Sequence, residues 1–137
     1  MNIKLSAVAL LAIIAPGQAG AATLTDAEAA FLEQVVIASA VLEQRCPGYE
    51  ANGAGGVQLG ASLLGSTDAA MAMINAFDTA IKAHDGVDYD PANFRPEVSE
   101  AAGRTFKRVH AELIDDPQRA CADYGEASAV RGLLRRY

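Results

Sequence analysis

The chain has 137 residues, of which 51% are hydrophobic, 20% charged and 6% aromatic, and its formal net charge is −6. Apolar residues this plentiful exclude an intrinsically disordered chain, and two cysteines are too few for a disulfide-dense mini-protein. The acidic balance argues against nucleic acid as a partner, because nonspecific binding to nucleic acids depends on neutralising phosphates with Lys and Arg.

The N-terminal residues 1–21 have the three-part layout of a secretory signal peptide. A positively charged start is followed by an unbroken apolar stretch and then by mostly small residues up to Ala21, the predicted cleavage site. An uncleaved membrane anchor is the alternative, but it needs about 20 apolar residues, and Pro16 interrupts the stretch earlier. We therefore expect an exported protein, periplasmic or secreted. Its mature chain, residues 22–137, is predicted to be a single helical domain without a transmembrane segment.

Cys46 and Cys121 are the only cysteines in the sequence. Two cysteines in one small exported domain predict a single structural disulfide, whose loop of about 75 residues would contribute about 4 kcal/mol to stability. Free thiols or an intermolecular disulfide are the alternative. A redox pair would need C-x-x-C spacing, and a zinc site would need further ligands, which the positions of His84 and His110 do not supply.

Three long segments have the periodicity of amphipathic helices. The first begins at a capping box over residues 25–28 and ends before Pro47; the second begins at Ser66 or Thr67, and the third at Pro96. The predicted buried stripe of the first helix is Phe31, Val35, Ala38 and Leu42. That of the second helix is Met71, Ile74, Ile81 and either Phe77 or Asp78. That of the third helix is Val98, Ala102, Val109, Leu113 and either Phe106 or Thr105.

Residues 47–66 contain seven Gly or Pro residues and a single charged one, Glu50. This composition predicts the longest irregular segment of the chain, with at most a short turn of helix docked on the core. A phosphate-binding loop is the functional alternative, but neither GxxxxGK[ST] nor GxGxxG after a strand is present.

Asp85, Asp88 and Asp90 lie close together in the polar linker between the second and third helices. Calcium binding is one interpretation, because hard cations prefer carboxylate oxygens. The EF-hand pattern fails, since Asn93 stands where glycine is required and Ser99 where glutamate is required. Asp before Gly or Pro is also ordinary turn chemistry, so we predict a turn and no metal or cofactor site.

The chain after Asp116 and Pro117 is predicted to form one or two short helices. The first covers residues 118–124, and Gly125 ends or kinks it. The closing stretch, residues 126–137, is basic and amphipathic. Its arginines either complement a helix dipole or contact anionic lipid or an acidic partner.

No run of alternating β-branched residues predicts a strand. The sequence therefore predicts an all-α protein, a compact irregular helical bundle of three main helices plus one or two short C-terminal helices. The disulfide is expected to join the end of the first helix to the fourth.

The order of features resembles that of small, uncharacterised exported proteins of alphaproteobacteria. The features are the export signal, a cysteine at the end of the first helix, alanine-rich helices, and Cys121-Ala122-Asp123-Tyr124-Gly125 before a basic end. The resemblance covers most of residues 25–137 and brings no assigned activity or site residues with it.

No combination of nucleophile, base and orienting group is recognisable, so no catalytic residue is predicted. We expect an exported, non-catalytic protein that acts by binding another, unknown protein, as an adaptor, an inhibitor or an envelope stress factor. The alternative is a small-molecule or metal binder, with the 47–66 segment, Tyr49 and the three linker aspartates as contacts. A third class is an enzyme that uses paired carboxylates, with His110 or an arginine beside them.

Overall fold

The computed structural model describes residues 22–137; the predicted signal peptide of residues 1–21 lies outside this range. The described part of the chain contains the helices α1 (Asp26–Glu43), α2 (Gly53–Leu64), α3 (Thr67–Asp85), α4 (Pro96–Asp115) and α5 (Pro117–Val130). Two short strands, β1 (Tyr49–Ala51) and β2 (Leu134–Arg136), and a 3₁₀ turn over Pro91–Asn93 accompany them. The predicted helical bundle is confirmed, and a two-stranded sheet is added to it.

Helix α1 is the central element and contacts all four other helices. The predicted capping box opens it: the Glu28 N–H donates to Thr25 Oγ1 at 3.1 Å, and the Thr25 N–H donates to Glu28 Oε1 at 3.0 Å. Because neighbours surround α1, its buried face is wider than a single stripe. The buried residues are Phe31, Leu32, Val36, Ile37, Ala38, Ala40 and Val41, whereas Val35 and Leu42 of the predicted stripe are half-buried.

The buried side chains form two clusters along α1. Its first half packs against α3 and the start of α4, through Phe31, Leu32, Val36, Ala70, Met73, Ala76, Val98 and Ala102. Its second half packs against the end of α4, α5 and the sheet, through Ile37, Ala38, Ala40, Val41, Cys46, Val109, Leu113, Ala120, Leu133 and Leu134. Each large side chain fully buried in these clusters contributes about 1.5–3 kcal/mol relative to exposure.

Cys46 and Cys121 form the predicted disulfide, with their Cα atoms 5.4 Å apart. Cys46 is buried in the second cluster, and Cys121 is half-buried on α5. The disulfide therefore joins the end of α1 to the fifth helix, not to the fourth, because a helix that the sequence did not predict lies between them.

The prediction of an irregular segment over residues 47–66 is wrong. That segment contains β1 and the twelve-residue helix α2. The side chain of Asn52 caps α2 by accepting the Gly55 N–H at 3.2 Å, and Gly65, in the left-handed conformation with φ 93°, ends it.

Packing explains why so glycine-rich a segment is helical. A Cβ atom on Gly60 would collide with the ring of Phe31 and with Ala70, and a Cβ on Gly56 would touch Leu133. Each glycine weakens an isolated helix by about 1 kcal/mol. In this fold the missing side chains let α2 approach α1 and α3 closely, so tertiary contacts outweigh low helix propensity.

The predicted stripe of α3 is rotated around the helix axis. Met71 and Ile81, predicted to be buried, are 49% and 41% exposed, and Ile74 and Phe77 are half-buried. The buried residues are Ala70, Met73, Ala76, Thr79 and Ala80. The small residues face the core because they allow neighbouring helices to approach closely. A prediction that places the most hydrophobic residues in the core does not take this close approach into account.

The C-terminal prediction is also corrected. Gly125 does not end α5, which continues to Val130. A turn at Gly132, with φ 85°, then leads into β2 instead of a further helix. Strand β2 pairs antiparallel with β1, with Arg136 opposite Tyr49.

Candidate functional site

A shallow depression of about 490 Å³ lies beside the disulfide, where the end of α1 meets the start of α5. We call it the disulfide depression; it is lined by Gln44, Arg45, Pro47, Tyr49, Pro117, Gln118, Cys121 and Ala122. Five of these eight residues are exposed to solvent. The depression is therefore an open surface feature with a largely apolar floor.

Arg45 forms the turn that follows α1 and takes the left-handed conformation, with φ 55°. Its N–H donates to Leu42 O at 3.0 Å, and the Cys46 N–H donates to Val41 O at 3.1 Å, which satisfies two of the last carbonyls of the helix. Glycine usually occupies such a position, because any other residue is strained there by about 1 kcal/mol. The turn places Cys46 in the core and leaves Arg45 exposed at the rim of the disulfide depression.

The start of α5 forms the opposite side of the depression. As predicted, Asp116 caps this helix, accepting the Arg119 N–H at 3.3 Å, and Pro117 occupies its first turn. Cys121 follows one turn later and is fixed by its bond to Cys46. Both sides are thus held by hydrogen-bonded helix ends and by a covalent link between them.

Tyr49 forms the third wall. Its ring lies so close to Gly125 that a Cβ atom there would overlap it. The guanidinium of Arg136 lies over the ring, 5.7 Å from its centroid, and pairs with Glu126. These contacts hold the aromatic wall in one position.

The disulfide depression contains a cation but no acid. None of its eight lining residues is acidic. Arg45 forms no ion pair with any residue of the described range 22–137. By contrast, Arg136 pairs with Glu126, and Arg135 Nε lies 2.6 Å from Glu50 Oε1. These pairs engage two of the C-terminal arginines whose sequence pattern suggested contact with anionic lipid or an acidic partner.

A second depression, of about 480 Å³, lies on another side of α5 and is lined by Glu112, Asp115, Asp116, Arg119, Ala120, Asp123 and Tyr124. We call it the acidic depression. The Tyr124 hydroxyl donates to Glu112; burial first, and then this contact, raise the pKa of Tyr124. The hydroxyl is therefore protonated at neutral pH, and Arg119 Nε lies 3.7 Å from Asp123. These contacts pair Tyr124 with Glu112 and Arg119 with Asp123 across the acidic depression.

The three linker aspartates are exposed, at the end of α3 and in the segment between α3 and α4. Within residues 22–137, no three His, Cys, Asp or Glu side chains are placed to hold a metal ion. Asp90 instead accepts the Ala92 N–H at 3.0 Å, which is the turn chemistry that the sequence suggested. His110 stacks on Phe106 at 5.2 Å and does not line either depression.

The sequence did not indicate Arg45 as a site residue. It indicated Tyr49 only as a contact of the alternative function, a small-molecule or metal binder. The sequence gives no signal for Arg45, because a left-handed turn after a helix is ordinarily recognised by its glycine. The sequence instead predicts the end of this helix from Pro47, two residues later.

The chain matches no protein-family model, no curated protein and no solved structure. In the described range, no helix has both the length and the apolar character that a membrane span requires. The geometry of the two depressions is therefore the basis for the function proposed below.

Proposed function

We propose that the mature chain is an exported, non-catalytic protein, periplasmic or secreted, that binds a partner protein through the disulfide depression. Its role would be that of an adaptor, an inhibitor or an envelope stress factor. The observation that carries the proposal is the depression itself, an open apolar surface with rigid walls and an arginine that lacks a carboxylate partner within residues 22–137.

Rigidity supports a binding role. The disulfide, the turn at Arg45 and the cap at Asp116 fix both sides of the depression before any partner arrives. A preorganised surface binds more tightly, because less conformational entropy is lost on association. Tyr and Arg, both present here, are also the residues that dominate binding energy in many interfaces.

Openness favours a protein segment over a small molecule. Small-molecule pockets usually enclose most of the ligand surface. Here Arg45, Pro47, Pro117, Gln118 and Ala122 are all exposed, so a small ligand would keep much of its own surface in water. A protein segment laid across the depression would cover these residues and extend beyond them.

The experiment is site-specific photocrosslinking. A photoreactive amino acid replaces Gln118, which lines the depression, or Glu100, an exposed residue near the start of α4 that does not. Each variant is expressed in the producing bacterium, irradiated, and examined by gel electrophoresis and mass spectrometry. We expect a discrete protein adduct from position 118 and none from position 100. No adduct at 118, or the same adducts from both positions, would contradict the proposal.

Export has its own test. Protein recovered from the periplasm or the medium is expected to begin at Ala22 and to have no alkylatable thiols before reduction. Intact-mass analysis with and without reductant reads both properties. Cytoplasmic protein that retains residues 1–21 would contradict export.

A further inference from the structure

The residue at the rim of the disulfide depression is unusual for its backbone position. Arg45 has φ 55°, a conformation that glycine adopts without strain. A strained residue is an indication of function when its side chain supplies something that the unstrained residue cannot. Here that side chain is an exposed guanidinium that pairs with no carboxylate of residues 22–137.

The lining adds an apolar surface beside that charge. It is supplied by Pro47, Pro117, Cys121 and Ala122, and Tyr49 also lines the depression. No acidic residue lines the depression, although the whole sequence has 17 acidic residues against 11 basic ones. The depression is thus complementary to a ligand that carries one negative charge next to an apolar group.

We infer that the disulfide depression binds an acidic segment of the partner protein. One carboxylate of the segment pairs with Arg45, and a neighbouring apolar side chain packs against Pro47, Pro117 and Cys121. A guanidinium is suited to this role because its planar donors match the two oxygens of a carboxylate. The inference rests on the proposed function and adds the chemistry of the partner.

Carboxylates near the disulfide depression limit the negative charge that the bound partner segment can carry. Glu43 lies two residues before Arg45, and the acidic depression lies on the same helix as Cys121. A polyanion such as nucleic acid or an anionic membrane needs several cations for neutralisation and would be repelled by these carboxylates. A segment with a single carboxylate facing Arg45 avoids that repulsion.

The test begins with the processed, disulfide-bonded protein on an array of random octapeptides of balanced composition. We expect bound peptides to be enriched in Asp or Glu next to an aliphatic, aromatic or proline residue. The tightest peptide is then titrated by fluorescence anisotropy. Arg45→Gln is expected to weaken binding about tenfold, and Arg45→Lys by less, because lysine keeps the charge but loses the planar donors.

Two variants separate a binding role from a structural one. Arg104→Gln, which alters an exposed arginine on α4 that forms no ion pair with residues 22–137, is expected to bind like the unmodified protein. Arg45→Gly removes the backbone strain, so its melting temperature is expected to rise by about 3 °C while peptide binding weakens about as much as in Arg45→Gln. A merely structural Arg45 would not produce these opposite effects.

Four outcomes would overturn the inference: no peptide bound, no enrichment of acidic residues, equal binding by Arg45→Gln and Arg104→Gln, or Arg45-dependent binding to vesicles that contain phosphatidylglycerol. The photocrosslinking experiment distinguishes this failure from failure of the proposed function. An adduct at position 118 without acidic peptide binding would leave partner binding standing and refute the partner chemistry.

Discussion

The ring of Tyr49 occupies the space beside Gly125 that the Cβ atom of any other residue would fill. Tyr49 begins β1, and Gly125 lies in the middle of α5, one turn after Cys121. The contact therefore joins the sheet to the helix that carries the disulfide. It also explains why a glycine is found inside a helix that it would otherwise weaken.

Replacement of Gly125 by alanine tests this contact. Alanine favours the helix by about 1 kcal/mol, but here it would force the Tyr49 ring or α5 to move. We expect Gly125→Ala to lower the free energy of unfolding by about 1–3 kcal/mol, as overpacking does. A Cβ atom added to Gly103 of α4 would meet open space, so Gly103→Ala is expected to raise the free energy of unfolding by about 0.5–1 kcal/mol. Urea denaturation measures both variants, and shifts of the same sign would contradict this explanation.

The disulfide is expected to supply a large share of the stability. Its 75-residue separation predicts that removing it lowers the free energy of unfolding by about 4 kcal/mol. The measurement compares urea midpoints of the oxidised protein, the reduced protein and the Cys46→Ala/Cys121→Ala double variant. Reductant should leave the double variant unchanged. An oxidised protein no more stable than its reduced form would refute the expectation.

Glu28 makes the stability depend on pH. The Thr25 backbone N–H first, and Arg95 after it, lower the pKa of Glu28 from 4.5 against the opposing effect of partial burial. Because the pKa is lower in the folded state, the stabilisation is fully present above the unfolded pKa and is lost as the pH falls through the folded pKa. Arg95 Nη1 lies 3.2 Å from Glu28 Oε2.

We therefore expect Glu28→Gln to be less stable than the unmodified protein by about 1 kcal/mol at pH 7. The difference should shrink as the pH falls below 4.5, the ordinary pKa of Glu28. Urea unfolding at pH 7 and pH 3 checks this, with the exposed Glu100→Gln as the matched control. A difference that stays constant between the two pH values would exclude Glu28 as the source.

Two methionines of α3 provide a direct comparison of burial. Met73 is 2% exposed in the first core cluster, whereas Met71 is 49% exposed. Met73→Ala is expected to destabilise the protein by about 2–5 kcal/mol, and Met71→Ala by less than about 0.5 kcal/mol. If thermal or urea denaturation gave similar losses for the two, the rotation of α3 described above would be wrong.

The elements that sequence reasoning identified correctly are those with local signals. The capping box at Thr25 and the cap at Asp116 depend on neighbouring residues alone, and the structure contains both. In the predicted stripe of α4, Val98, Ala102, Val109 and Leu113 are buried, and Phe106 and Thr105 are half-buried.

The elements that sequence reasoning missed depend on contacts with distant parts of the chain. Helix α2 is held by contacts of its glycines with Phe31, Ala70 and Leu133, and β1 exists because β2 pairs with it 85 residues later. Within the candidate site, the disulfide was predictable from the two cysteines and the expectation of export. The role of Arg45 was not, since its conformation and its lack of a carboxylate partner among the described residues emerge only after folding.

The bond between Cys46 and Cys121 closes residues 46–121 into a covalent ring from which two tails extend. The exposed linker between α3 and α4 lies inside that ring. A protease that nicks this linker would open the ring without releasing a fragment, and the product would migrate as one species until a reductant separated it. A molecule built in this way retains its whole mass after a cut in this exposed linker.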